Sequence, residues 1–136
     1  TAYEIKECDW SSDVCSSDLA LVLVNTVLGM AIDTSTRRPV LGNGGGGVSG
    51  SAIHAVAVRS VFDVHAALPA VPIVGVGGIS HADHAVELMM AGASAVQVGT
   101  ATFANPRAVT NIIRGLHRWA RHHGVHDWKE VVGAAH

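Results

Sequence analysis

Apolar residues in this chain fall into short dense runs separated by glycine-rich or polar connections, not into one long stripe of a single period. Ala20 to Asn25 is a compact Leu/Val run without polar alternation, which predicts a strand covered on both faces, as in a parallel sheet. Ile32 to Leu41 reads as two short extended pieces around a polar turn, with Pro39 favouring an edge because it has no N–H to donate. Asn43 to Gly50 reads as a flexible loop. Helical spacing begins near Ser51 and runs to Ala67, placing Ile53, Val56, Ala57, Val61, Val64 and Leu68 on one stripe. Pro72 to Gly78 predicts a second buried strand running into a glycine turn. Ser80 is then a candidate N-cap for a helix whose inner stripe is Ala85, Leu88 and Met89 and whose stop is Gly92. Ser94 to Val98 predicts a third buried strand, ending at Gly99-Thr100. Asn105-Pro106 predicts a cap with proline at the first helical position, opening a helix through Val109, Ile112, Ile113 and Leu116 to about His123, where Gly124 closes it. A short last helix is expected at about Asp127 to Val132.

Three buried strands, each followed by a helix, predict an α/β fold with a parallel sheet and right-handed crossovers. Ligands of such folds collect beyond the C-terminal strand ends, so Asn25-Thr26, Gly77-Gly78 and Gly99-Thr100 are expected on one rim. Either glycine pair alone reads as a turn. Both at successive strand ends, with Gly50 in the glycine-rich loop behind them, point to a phosphate or nucleotide, because a phosphate must approach backbone N–H groups closely. Thr100 adds a hydroxyl donor.

Composition narrows the classes. With 49% hydrophobic and 15% charged residues, the 136-residue chain lacks the signature of disorder. No apolar run approaches the ~20 residues of a membrane-spanning helix. A net charge of -2, 4% aromatic residues and no basic cluster beyond Arg37-Arg38 leave no footprint for nucleic acid. Charge is unevenly placed: residues 1–19 hold Lys6 against Glu4, Glu7, Asp9, Asp13 and Asp18, so the remainder is slightly basic. Both cysteines, Cys8 and Cys15, lie in that stretch with a near-repeat, Trp10-Ser-Ser-Asp-Val and Cys15-Ser-Ser-Asp-Leu. No further Cys and no nearby His completes a metal site there. Residues 1–19 resemble a translated sequencing adapter and are expected to be a non-native or disordered segment ahead of one domain at 20–136. His81 with His84, and His122-His123 with His126, read as surface histidines without a completing carboxylate or cysteine, so no metal is expected. Arg114, Arg118 and Arg121 read as a solvated stripe.

The runs Val24-Asn25-Thr26-Val27-Leu28-Gly29-Met30-Ala31-Ile32-Asp33, Arg38-Pro39-Val40-Leu41-Gly42-Asn43 and Gly46-Gly47-Val48-Ser49-Gly50 resemble the dihydroorotate dehydrogenase family. Gly75-Val76-Gly77-Gly78-Ile79 and Ala91 to Ala101 continue the resemblance in the same order. It looks most like the NAD-linked class. The resemblance implies a (β/α)8 barrel of which this chain carries the C-terminal half, about strands six to eight. It also implies an FMN enzyme that oxidises dihydroorotate to orotate in pyrimidine biosynthesis in the cytoplasm. By the same resemblance, Asn25 and Thr26 contact substrate, Val24 touches the flavin, and Gly50, Gly77, Gly78, Gly99 and Thr100 hold FMN. The family's catalytic cysteine and flavin lysine lie upstream of these motifs, so no catalytic residue is expected in the chain and the chain alone is expected to be inactive. An iron-sulfur flavoprotein partner carrying FAD and a 2Fe-2S cluster is implied, as is a homo-oligomer. Two other readings remain open at this point: a related flavin barrel such as dihydropyrimidine dehydrogenase, and a non-catalytic half-barrel assembly module.

Overall fold

The structure, a computed structural model, describes residues 20–136. Cys8, Cys15 and the near-repeat lie outside the described residues. In chain order the elements are β1 (Leu21–Leu23), β2 (Val27–Gly29), β3 (Ile32–Asp33), β4 (Arg38–Pro39), β5 (Gly46–Val48), α1 (His54–Ala67), β6 (Ile73–Val76), α2 (Ala82–Met90), β7 (Ala95–Gln97), α3 (Ala101–Ala104) and α4 (Ala108–His123). Single 3-10 turns, Ser51–Ile53 and Trp128–Glu130, precede α1 and follow α4.

The three apolar runs pair as expected into one parallel sheet of order β1-β6-β7, with Leu23 opposite Gly75 and Gly75 opposite Val96. Side chains alternate across a sheet, so Leu21, Leu23, Ile73 and Gly75 share a face. Against it pack Ala57 and Val61 of α1 and Ala85 and Leu88 of α2, with Ala93 and Ile112 completing the core. Helix α4 lies on α2, where a smaller cluster of Val86, Met89 and Val131 is roofed by Trp119 and Trp128.

The opposite face departs from expectation. A strand covered on both sides was the reading of Ala20 to Asn25, yet Val22 is 55% exposed, and Ala95 and Gln97 of β7 are exposed as well. The helices cover only the Leu21/Ile73 face, and no other described element lies across the second one. Uniform Leu/Val composition thus marks residues suited to burial without saying how much of the covering is supplied by the described residues. The stripe of α4 is open for the same reason, with Ile112 buried but Val109 and Ile113 exposed.

Three local expectations need correction. Asn43 to Gly50 is not simply a flexible loop: Gly46–Val48 forms β5, antiparallel to β2, with Val27 opposite Val48 and Gly29 opposite Gly46. Backbone pairing does not depend on side chains, so glycine hid this strand from a composition-based reading. Ser80 does not cap α2. The cap position is His81 in extended conformation, and the Ser80 hydroxyl lies 3.3 Å from His84 Nδ1 instead. Pro106 is not the first residue of α4; Asn105 Oδ1 accepts the Arg107 N–H at 3.0 Å in a turn that precedes Ala108. Gly92 and Gly124 stop their helices as expected, both with positive φ.

The β3-β4 pair is the predicted polar turn. One carboxylate organises it: Asp33 accepts the Ser35 N–H at 2.8 Å, the Ser35 hydroxyl at 2.6 Å and the Thr36 hydroxyl at 2.9 Å. Those bonds, led by the Ser35 hydroxyl, lower the Asp33 pKa from 3.8 to about 2. Since the folded value lies below the unfolded one, the turn's stabilisation is present above 3.8 and is lost as pH falls through about 2. The Ser35 and Thr36 amide resonances are therefore expected to titrate with a midpoint near pH 2. A midpoint at the ordinary aspartate value speaks against the turn as described.

Candidate functional site

Beyond the C-terminal ends of β1, β6 and β7 the rim closes around a cleft of about 280 Å³. Parallel strands deliver their ends to the same edge, which is why residues far apart in sequence meet there. Val24 and Thr26 line the cleft from β1, Gly77 and Gly78 from β6, Gly99 and Thr100 from β7, and Gly50 from the turn before α1. Ser49, Ser51, Ser80 and Gln97 add polar groups to the wall. Asn25 is the one expected site residue outside the lining. It is exposed, and its Oδ1 accepts the Thr26 N–H at 2.7 Å.

The glycines have different jobs. At Gly78, φ is +66°, and a Cβ there would lie 2.8 Å from the Gly50 carbonyl oxygen and 2.9 Å from the His54 nitrogen. Glycine is required because the β6 turn is pressed against the turn that opens α1. At Gly99 no atom lies within 4 Å of a Cβ, so its backbone faces open space. The N–H groups of Gly78, Gly99 and Thr100 donate to no backbone acceptor among the described residues. Unengaged N–H groups converging on a concavity make an anion-binding surface. The lining holds hydroxyl, amide and backbone groups and no titratable side chain among the described residues.

One polar residue at this site was not anticipated. His54, first residue of α1, is buried, with Nδ1 2.9 Å from the Gly77 carbonyl oxygen and Nε2 2.9 Å from Glu87 Oε2. Its partners are 23 and 33 residues away, so no local spacing signals the contact. His84 also differs from a plain surface histidine. It is half-buried, stacks on His54 with ring centroids 4.0 Å apart, and has Nδ1 3.1 Å from the Gly78 carbonyl oxygen. Burial, then the neighbouring His54 and His81, push its pKa below the ordinary histidine value. His81, His122, His123 and His126 are exposed. Among the described residues no three His, Cys, Asp or Glu side chains converge in a way that could hold a metal ion, and no helix is long and apolar enough to cross a membrane. A second, more open groove of about 480 Å³ runs between the start of α2 and α4, past His81, Asn111, Arg118 and His122, and shares only Ser80 with the strand-end cleft.

Comparison with known proteins gives one consistent family. The family profile described as dihydroorotate dehydrogenase matches residues 4–119. A protein of Desulforamulus reducens named dihydroorotate dehydrogenase B (NAD(+)), catalytic subunit, is 51% identical over 116 residues, covering 85% of this chain and 38% of the relative. A protein of the same name from Pelobacter propionicus is 52% identical over 115 residues, 85% of this chain and 38% of its own length. Its namesake from Geobacter metallireducens is 44% identical over 131 residues, 96% of this chain and 42% of the relative. The chain thus spans about two fifths of the length of these relatives. These matches correct one expectation. The resemblance was confined to residues 20–136, as a C-terminal half behind an adapter-derived stretch; the profile begins at residue 4 and the Geobacter alignment takes in 96% of the chain, so the family match covers nearly all of it.

Proposed function

This chain belongs to the dihydroorotate dehydrogenase family, and from that premise we propose that its cleft receives the phosphate end of FMN in an enzyme that oxidises dihydroorotate to orotate. The observation that carries the reading is the meeting of Gly50, Gly77, Gly78, Gly99 and Thr100 around one cleft with unengaged N–H groups. The flavin fits this surface on a simple test: a Cβ at Gly99 would enter open space, so the backbone there is bare for a ligand to approach.

In this reading the N–H groups of Gly78, Gly99 and Thr100 hold the phosphate, the Thr100 hydroxyl adds a donor, and Val24 supplies an apolar contact to the flavin. FMN, when bound, is the hydride acceptor. Asn25 and Thr26 address the substrate, since an amide and a hydroxyl offer both donors and acceptors to a pyrimidine edge. A lining without titratable groups suits binding and orientation, not proton abstraction. The three parallel strands, helix-covered on one face and open on the other, are read as consecutive units of a closed (β/α)8 barrel. The names of the relatives, with NAD(+) and a catalytic subunit, favour the NAD-linked class and a second, electron-transferring subunit; FAD and a 2Fe-2S cluster on that partner, a homo-oligomer and a place in the cytoplasm belong to the same reading on the family resemblance alone.

Gly99→Val tests the cleft directly. Its side chain would enter open space, so stability should change by no more than about 0.5 kcal/mol while FMN affinity falls at least about tenfold. Flavin fluorescence titration alongside thermal unfolding separates the two effects. Unchanged FMN affinity in a folded variant removes Gly99 from the site.

A further inference from the structure

Behind the glycine turn lies a polar cluster to which the flavin reading gives no role. His54 is 7% exposed, and both its ring nitrogens are engaged: Nδ1 with the Gly77 carbonyl oxygen and Nε2 with Glu87 Oε2, each at 2.9 Å. A carbonyl oxygen and a carboxylate both accept and cannot donate, so the two bonds are complete only when each nitrogen carries a proton. His84 is its stacked neighbour, with the rings inclined by 23°, and is held neutral by burial and by the adjacent His54 and His81. Its Nδ1 accepts the Ser80 N–H at 3.4 Å and lies 3.1 Å from the Gly78 carbonyl oxygen.

The Gly77 carbonyl is therefore held from behind by His54. In a trans peptide the C=O and the following N–H point in opposite directions. Drawing the Gly77 carbonyl toward His54 turns the Gly78 N–H away from it. Gly78 and Ile79 both line the cleft. The Glu87 side chain, 55% exposed against 9% for His54, reaches in from the surface to fix the far side of the ring.

We propose that His54, clamped between the Gly77 carbonyl and Glu87, is a positioning residue for a phosphate monoester in the cleft, aiming the Gly78 N–H at it. The proposal rests on the reading of the cleft as the FMN phosphate site. His54 acts through the turn without touching the ligand.

Two measurements test it. Long-range proton-nitrogen NMR of the histidine rings should show a proton on Nδ1 of His54, the nitrogen that faces the Gly77 carbonyl; a pyridine-type Nδ1 overturns the proposal. Binding of FMN and of riboflavin, which lacks the phosphate, should then be compared in the wild-type chain, His54→Gln and Glu87→Gln. FMN affinity is expected to fall about tenfold in each variant while riboflavin affinity stays within about twofold. Equal losses for both flavins, or no loss of FMN, against a discriminating wild type overturn the proposal alone. A wild-type chain that binds FMN no better than riboflavin overturns the phosphate reading itself. Should His54→Gln fail to fold, Glu87→Gln carries the comparison, because its half-exposed side chain can change without unpacking the core while the charge-assisted bond to the ring is lost.

Discussion

Gly78→Ala is expected to destabilise the chain by about 3 kcal/mol and to remove FMN binding in the fraction that remains folded. Two separate penalties combine. The backbone is left-handed at this residue, which an L side chain adopts only with strain, and the added methyl meets the Gly50 carbonyl oxygen and the His54 nitrogen, both backbone atoms that cannot rotate away. Relief requires the β6 turn to separate from the start of α1. That separation breaks the His54 contact with Gly77 and spreads the N–H groups of the cleft. Urea unfolding followed by circular dichroism, with flavin titration on the same samples, measures both effects. A loss below about 1 kcal/mol with FMN affinity intact would mean that the turn is not packed as described.

Leu88→Ala should cost a comparable amount, about 2–5 kcal/mol, by a different route. Leu88 has no exposed surface and fills the space between α2, β6 and α1 in the main core. Removing its side chain leaves a cavity that the surrounding Ile73, Val61 and Ala85 can collapse into only in part. It lies outside the lining of the cleft, so the folded fraction should bind FMN with unchanged affinity. The pair of variants separates damage to the core from damage to the site. Urea midpoints give the first, and FMN dissociation constants at low urea give the second. A Leu88→Ala chain that keeps its midpoint would contradict the assignment of this core.

What the sequence made legible follows from which interactions are local. Apolar runs ending at Asn25-Thr26, Gly77-Gly78 and Gly99-Thr100 read directly as parallel strands delivering turns to one rim, and Val24, Thr26, Gly50, Gly77, Gly78, Gly99 and Thr100 do meet at one cleft. Gly92 and Gly124 read as helix stops because a left-handed residue at a helix end is a single-residue requirement. The illegible parts depend on partners distant in sequence. β5 pairs with β2 through backbone atoms alone, so its glycines looked like loop. His54 reads as an ordinary helix residue until Glu87 and Gly77 are brought beside it by the packing of α1, α2 and β6. Ser80 looked like a cap by residue type, but its hydroxyl faces His84. Val22 shows the converse: an apolar residue on the sheet face opposite the helices is exposed although its neighbours in sequence, Leu21 and Leu23, are buried.

Backbone N–H groups at the strand ends, in this reading, receive the FMN phosphate. Amide NMR of the isotope-labelled chain during FMN addition reports on those very groups. The amides of Gly50, Gly78, Ile79, Gly99 and Thr100 should shift together and saturably, while those around the groove between α2 and α4, such as Asn111 and Arg118, stay in place. Saturable FMN binding that moves the Asn111 and Arg118 amides and leaves Gly78, Gly99 and Thr100 unmoved would contradict it.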